Sequence, residues 1–429
     1  MFITLYNSLI LRLHKADLLY GKIINDPVYG FVQFTEKELM QVIEHPWFQR
    51  LRRIKQMGMA QLVYPGAVHT RFHHSLGACH LMGTALEGLQ RKGVNISPAE
   101  VTAARLAILL HDIGHGPFSH ALEHTLIPVS HESISLKIME ALNRQFEGSL
   151  SGAMEIFRND YPTPFLHQLV SSQLDMDRMD YLNRDSFFSG VAEGTIGYDR
   201  ILQMLTVVDN RLMVEEKGIY SVEKFIVARR IMYWQVYLHK TVLGAEKLVV
   251  KILKRAKELA EQGKQLFATP SFSFFLYEKL KKEDFESDSH ILEKFCAIDD
   301  SDVICSIKEW SNHPDEILSR LCRMFNDRNL YKVKLSSEEN RELYDRYLEV
   351  GNNSGLLNDE NRDYFLFRGS TSNSAYKSND DNINIVMKSG RVVDISGVNN
   401  SLIGNGASGE IKKHYICAIP ELRNLSLGK

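Results

Sequence analysis

The chain has 429 residues, 44% hydrophobic and 24% charged, a composition that excludes a disordered or fibrous protein and implies two or three lobes. Its 51 basic and 53 acidic side chains leave a net charge of -2, so no global field draws it to nucleic acid or an anionic membrane, and any polyanion must be held locally. Five scattered cysteines, odd in number and without CxxC spacing, exclude a disulfide framework and a thiolate zinc site and fit a reducing, cytoplasmic setting.

No apolar run approaches the roughly 18 residues of a membrane helix. Residues 1–21 carry Arg12 and Lys15 inside an apolar stretch and read as an N-terminal extension, not a secretion signal. From Lys22 to Thr35, apolar and polar residues alternate about an Asn-Asp-Pro turn, which predicts a short hairpin. Residues 36–57 read as one helix bent near His45-Pro46; Arg50, Arg52, Arg53 and Lys55 form its solvated basic face and Gly58 stops it. A second helix spans 70–92, with Leu76, Cys79, Met82, Leu86 and Leu89 on one stripe. The third opens on a capping box, Ser97-Pro98-Ala99-Glu100, and is apolar on nearly every face from Leu106 to Leu110. It ends at His111-Asp112-Ile113-Gly114, with Gly114 expected as a left-handed cap and a new helix expected with Pro117 near its start. Further helices are predicted at 131–146, 164–188 and 221–262, then with weaker periodicity to about residue 350. Strands return near the end: a hairpin in INIVMKSGRVVDIS turning at Ser389-Gly390, and a third strand in HYICAIP, with an exposed loop over 370–382.

Four fragments carry chemistry: TRFHHSLG, HDIGHGPFSH, HE at 131–132 and DMDRMDYLNRD. A histidine and an aspartate adjacent at a helix end, with a histidine from a preceding helix and an aspartate from a later one, offer two nitrogen and two oxygen donors. An octahedral divalent ion held so keeps two positions for water or phosphate oxygen, and the mixed donors suit iron, manganese, nickel, zinc or cobalt better than calcium. Each piece alone is weak, since a lone His-Asp pair is more often a cap or a surface pair. Nine of the 16 histidines, however, lie between His69 and His131, which shifts the weight to a metal-dependent site. Asp177, Tyr181 and Asp185 recur at i, i+4 and i+8, as Arg229, Tyr233 and Tyr237 do on a later helix, giving polar stripes where a core helix is apolar.

The order H…HD…D within these fragments resembles the HD superfamily of metal-dependent phosphohydrolases. More narrowly, INDPVYG, FQRLRRIKQMG, YPGAVHTRFHHSLG, HDIGHGPFSHALE and VSHE resemble the deoxynucleoside triphosphate triphosphohydrolases, including the animal members that add a SAM domain, which this sequence lacks. The resemblance covers residue 22 to about 260. It implies a mainly α fold: an HD-domain helical core (22–265) with a short N-terminal hairpin, after the 1–21 extension, and a smaller α+β C-terminal lobe (266–429). It makes His74, His111, Asp112 and Asp177 the metal ligands, excluding His73, which does not directly precede Ser-Leu-Gly. Arg71, His115, His120, Glu123, His131, Arg178 and Tyr181 then surround the triphosphate, Gln56, Met57 and Asp185 meet the sugar, and Arg229 and Tyr237 make further nucleotide contacts. Arg178 stands where the animal member has lysine, which turns a point charge into a planar fork.

The implied reaction is hydrolysis of a dNTP to deoxynucleoside and inorganic triphosphate, with magnesium accompanying the triphosphate. Hydroxide attacks the α-phosphorus in line with the departing 5′ oxygen, and His131, or else His115, is the general acid. The resemblance also implies a homo-oligomer, dimer or tetramer, with a regulatory GTP or dGTP at Lys22, Ile23, Glu44, Gln49 and Arg52, although Glu44 replaces an aspartate and sits one residue further from the turn. Two alternatives stay open: an HD-type 5′-nucleotidase or phosphodiesterase on another ester, and a non-catalytic nucleotide sensor or nucleic-acid binder.

Overall fold

Strands β1 (Lys22–Asp26) and β2 (Gly30–Phe34) pair antiparallel around the Asn-Asp-Pro turn. Asp26 Oδ1 accepts from the amides of Val28 (2.8 Å) and Tyr29 (3.0 Å), and Gly30 takes the positive φ of 74° that closes the turn. The computed structural model describes residues 21–118, 122–123, 125–374, 376, 382–398 and 410–427. The expected extension, save Gly21, and His120 lie outside them.

The predicted helix over 36–57 is three pieces: α1 (Lys37–Glu44), the single turn α2 (Pro46–Gln49) and a 3-10 turn (Arg50–Arg53). Two long helices follow, α3 (Arg71–Arg91) and α4 (Pro98–Leu110), and the Ser97 capping box forms, with the Ser97 amide donating to Glu100 Oε2 at 2.8 Å. Then come α5 (His131–Gln145), α6 (Ser151–Arg158), α7 (Pro164–Val170) and α8 (Met176–Ser189). The single helix expected over 164–188 is thus two. Asp175 breaks it, its carboxylate accepting the amides of Ser172 (2.8 Å) and Arg178 (2.7 Å) and capping α8.

After α9 (Tyr198–Met204), strands β3 (Leu205–Val208) and β4 (Arg211–Glu215) form a hairpin absent from the sequence expectation. The helix expected over 221–262 is also two, α10 (Ile219–Met232) running into a π turn (Tyr233–Tyr237) and α11 (Lys240–Glu261), separated where His239 Nδ1 accepts the Thr241 amide at 3.2 Å. Helices α12 (Pro270–Tyr277), α13 (Lys282–Ser287), α14 (Ser289–Cys296), α15 (Asp300–Trp310) and α16 (Glu316–Asn326) precede β5 (Lys332–Ser336), α17 (Arg341–Asn353) and α18 (Arg362–Phe365).

The last strands are β6 (Leu366–Ser374), β7 (Asn384–Val386), β8 (Val392–Asp394) and β9 (Glu410–Ala418), before α19 (Pro420–Leu427). The β7–β8 hairpin turns at Gly390, as expected, but β9 does not join it. β7 pairs parallel with β4, whereas β9 lies between β5 and β6. The start of the expected 370–382 loop is strand, because Ser370–Ser374 pair with β9. The fold is mainly α, with α3 packed against α4 and α8 at its centre. No helix among the described residues is long and apolar enough to cross a membrane.

Candidate functional site

Helix ends deliver the donors. His74 lies one turn into α3, where Thr70 and His73 form the N-terminal cap, which explains why His73 faces away from the site. His111 and Asp112 leave the C-terminus of α4, and Asp177 opens α8. His74 Nε2 lies 3.3 Å from His111 Nε2, 3.1 Å from Asp177 Oδ1 and 3.8 Å from Asp112 Oδ2, and His111 Nε2 lies 3.4 Å from both Asp112 Oδ1 and Asp177 Oδ1.

The opposite ring nitrogens are committed. His74 Nδ1 meets Asp180 Oδ2 at 2.7 Å and His111 Nδ1 meets the Ile108 carbonyl at 2.6 Å, so each Nδ1 carries the proton in the neutral ring. Two Nε2 atoms then face each other across 3.3 Å between carboxylates, an arrangement satisfied by a metal ion or by a proton on one ring. Donors 3.1–3.8 Å apart also match adjacent corners around an ion with bonds of about 2.0–2.2 Å. The residues therefore fit a divalent metal.

Electrostatics agree. Burial opposes an imidazolium at His74, yet hydrogen bonds with Asp177 and Asp180 push its pKa up to about 10. His111 is raised too, against burial, chiefly by Asp112. Burial alone would raise Asp112 and Asp177, but His111 and Arg71 hold the first well below the usual carboxylate range, and His111 and His74 the second.

Gly114 is not the left-handed cap expected, since it is not among the positive-φ glycines. It is needed for space, because a Cβ there would collide with the His131 carbonyl and the Ser135 amide of α5. Ser135 Oγ accepts from the Gly114 amide (2.9 Å) and donates to the His111 carbonyl (2.8 Å), fastening the loop to α5. Pro117 and Phe118 form a turn where a helix was expected, with Phe118 at φ 53°.

Next to the ligands the His115 and His131 rings stack at 3.8 Å and 18°. Glu123 Oε1 meets both the amide (2.9 Å) and Nδ1 (2.8 Å) of His131. Burial, then Arg71, holds His115 down to about 3, and Arg71 itself pairs with Asp112. Asp112, His115 and His131 also place one donor atom each within 4.8 Å of one another.

Asp185, expected at the sugar, is gripped by His69 Nε2 at 2.7 Å and the Tyr237 hydroxyl at 2.6 Å, with Tyr181 edge-on to Tyr237. Gln56 is tied by its amide to the His69 carbonyl at 3.0 Å, keeping it beside this group, and Met57 is buried. Arg229 donates to Gln173 at 3.2 Å, and Arg178 is held through Nε by Asp175 (3.0 Å) and the Ser172 carbonyl (2.6 Å). The five regulatory candidates divide between neighbours: Lys22 faces Glu44 at 3.6 Å, Arg52 donates to Gln49 at 2.7 Å and lies over the Phe72 ring, and Ile23 is exposed.

Sequence reasoning missed the support of His74. Arg184 donates to both oxygens of Asp180 (2.9 and 2.8 Å) and to Asp26 at 2.8 Å, so the N-terminal hairpin is wired through Asp180 to His74. A Cβ on Gly77 would overlap Asp180 and Arg184, which explains the glycine inside α3. The available signal was Asp180 and Arg184 at i, i+4 on a buried helix. The basic face was also misread, because Arg50 is 1% exposed and turns inward.

Residues 71–185 match the HD domain family model and residues 196–269 the HD associated region. The uncharacterized protein YwfO of Bacillus subtilis is 32% identical over 83% of this chain and 81% of its own length. The deoxynucleoside triphosphate triphosphohydrolase SAMHD1 of Homo sapiens is 31% identical over 54% of this chain and 44% of that protein, so the chain spans less than half of that relative. A solved phosphohydrolase from Bacteroides thetaiotaomicron, 48% identical, superposes with a TM-score of 0.88 over 93% of this chain and 99% of that one.

Proposed function

The chain belongs to the HD superfamily of phosphohydrolases, and from that premise we propose that it hydrolyses dNTPs to deoxynucleoside and inorganic triphosphate through a divalent transition metal at His74, His111, Asp112 and Asp177. The observation that carries the reading is the pair of Nε2 atoms at 3.3 Å with both Nδ1 atoms otherwise engaged. When bound, the ion supplies Lewis-acid polarisation of the phosphoryl oxygen and an acidified water.

The chain's own residues do the rest. Glu123 on Nδ1 fixes the orientation of the His131 ring, which makes Nε2 the nitrogen suited to pass a proton to the departing 5′ oxygen. His115, kept neutral, stacks against it and fixes the ring plane. Asp185, held by His69 and Tyr237 as an oriented acceptor, is suited to a sugar hydroxyl. The choice of dNTPs rests on these groups and on the likeness to deoxynucleoside triphosphate triphosphohydrolases. Activation by GTP or dGTP at the Lys22–Arg52 surface of a homo-oligomer belongs to the same reading.

The test is incubation with each dNTP and NTP, metals varied and GTP or dGTP added, with product separation. Inorganic triphosphate is expected. Release of single phosphate instead would make the protein a nucleotidase, and salt-sensitive DNA binding without turnover under any metal would make it a binder.

A further inference from the structure

The loop that carries His115 is held by residues on both sides of the matched HD domain. Arg50, on the 3-10 turn, is 1% exposed, and among the described residues its terminal nitrogens contact carbonyls and no carboxylate. Nη2 donates to the carbonyls of Ile113 and His115, both at 2.9 Å. Nη1 donates to those of Phe295 (3.3 Å) and Ile298 (3.1 Å), at and just beyond the C-terminus of α14. A guanidinium bears donors on two separate nitrogens and can bridge two carbonyl pairs, which one ammonium cannot. Its charge also suits the unsatisfied carbonyls of a helix end.

Two residues beyond Ile298, Asp300 grips the far side of the same loop. Its Oδ1 accepts the Phe118 amide at 3.2 Å and its Oδ2 the Lys55 amide at 3.0 Å. Phe118 has a left-handed φ of 53°, a conformation unfavourable for a residue with a side chain and one that calls for an anchor. Arg53 pairs with Asp299 alongside.

We infer that Arg50 and Asp300 are positioning residues for the hydrolytic site: together they latch the His115 loop, at the carbonyls of 113 and 115 and at the amide of 118, to segment 295–300. The HD domain alone is then an incomplete site, finished by two residues that lie outside both matched regions. This rests on the phosphohydrolase reading and needs no particular substrate.

The test compares Arg50→Lys, Asp300→Asn and the double variant in the full chain. For each single variant we expect kcat to fall about 10- to 100-fold, since a displacement of about 1 Å costs that much. Metal content stays at the wild-type value and KM within about twofold, because neither Arg50 nor Asp300 bonds to the side chain of His74, His111, Asp112, Asp177 or Asp185 in the contacts that form the latch. The double variant should lose little more than the worse single one, both acting on one loop. Amide exchange at His115, read without substrate, should quicken in both single variants while α4 and α8 keep their protection. Unchanged kcat, loss of metal in step with activity, additive losses, or unaltered His115 exchange would each overturn the latch. A wild type that turns over no phosphate ester would strike the phosphohydrolase reading instead, and the exchange measurement would still decide the latch.

Discussion

The metal cluster and the Lys22–Arg52 surface were both inferred from resemblance, yet they differ in how their polar groups are satisfied. At the cluster the imidazoles meet nose to nose inside a carboxylate ring, buried, with their other nitrogens spoken for. At the surface Lys22 has Glu44 and Arg52 has Gln49, in water. The first arrangement calls for positive charge, which a metal ion or a proton supplies. The second is content without a ligand, and surface pairs of this kind contribute about 0–1 kcal/mol. Buried polar geometry therefore carries functional information that exposed geometry lacks.

The largest expected effect falls on the cluster. Asp112→Ala should empty the site of metal, by elemental analysis, and take turnover to background while circular dichroism stays native. Metal-free activity in that variant would end the comparison. His131→Ala should keep the metal and lose about a hundredfold to ten-thousandfold in kcat. A loss explained wholly by missing metal would make His131 a structural residue. Asp180→Asn should weaken metal affinity by about 10- to 100-fold, the usual consequence of disturbing the partner of a ligating histidine; unchanged affinity would detach the hairpin from the site.

On the exposed side, Arg52→Ala should shift stability by no more than about 0.5 kcal/mol and abolish any GTP or dGTP activation. Activation that persists in this variant would move the effector elsewhere. The remaining effect, on stability alone and with none on turnover, concerns Glu36. Burial alone would raise its carboxyl, but Arg105 holds it below its usual value. A carboxyl depressed by folding adds stability above its unfolded pKa of about 4.3 and loses it as pH falls through the folded value. Glu36→Gln should therefore be less stable than wild type by on the order of 1 kcal/mol at pH 7 and match it near pH 3. An equal deficit at both pH values would mean that packing, not charge, is lost.

Features legible in the sequence were local ones. The Asn-Asp-Pro hairpin, the Ser97 capping box and the Gly390 turn each depend on a few adjacent residues, and each formed. The residues expected at the metal came together because helix ends placed them. Two long helices were read through their breaks, since the caps at Asp175 and His239 interrupt otherwise continuous periodicity. Arg50 was invisible for a different reason. A 3-10 turn puts Arg50, Leu51 and Ile54 inward and Arg52 outward, while the partners that explain Arg50 lie 245 and 248 residues away. Asp300 and the pairing of β7 with β4 are long-range in the same sense.

The wiring from Asp26 to Asp112 also has a valence. Five carboxylates, of Asp26, Asp180, Asp177, Asp175 and Asp112, share one buried region with three guanidinium groups, of Arg184, Arg178 and Arg71, leaving two negative charges unmatched when the imidazoles are neutral. A monovalent ion leaves a deficit and a trivalent one a surplus, so the pocket sorts ions by charge before donor softness enters. With a divalent ion in place these charges would cancel, so an anionic phosphate ester would meet no like-charged wall.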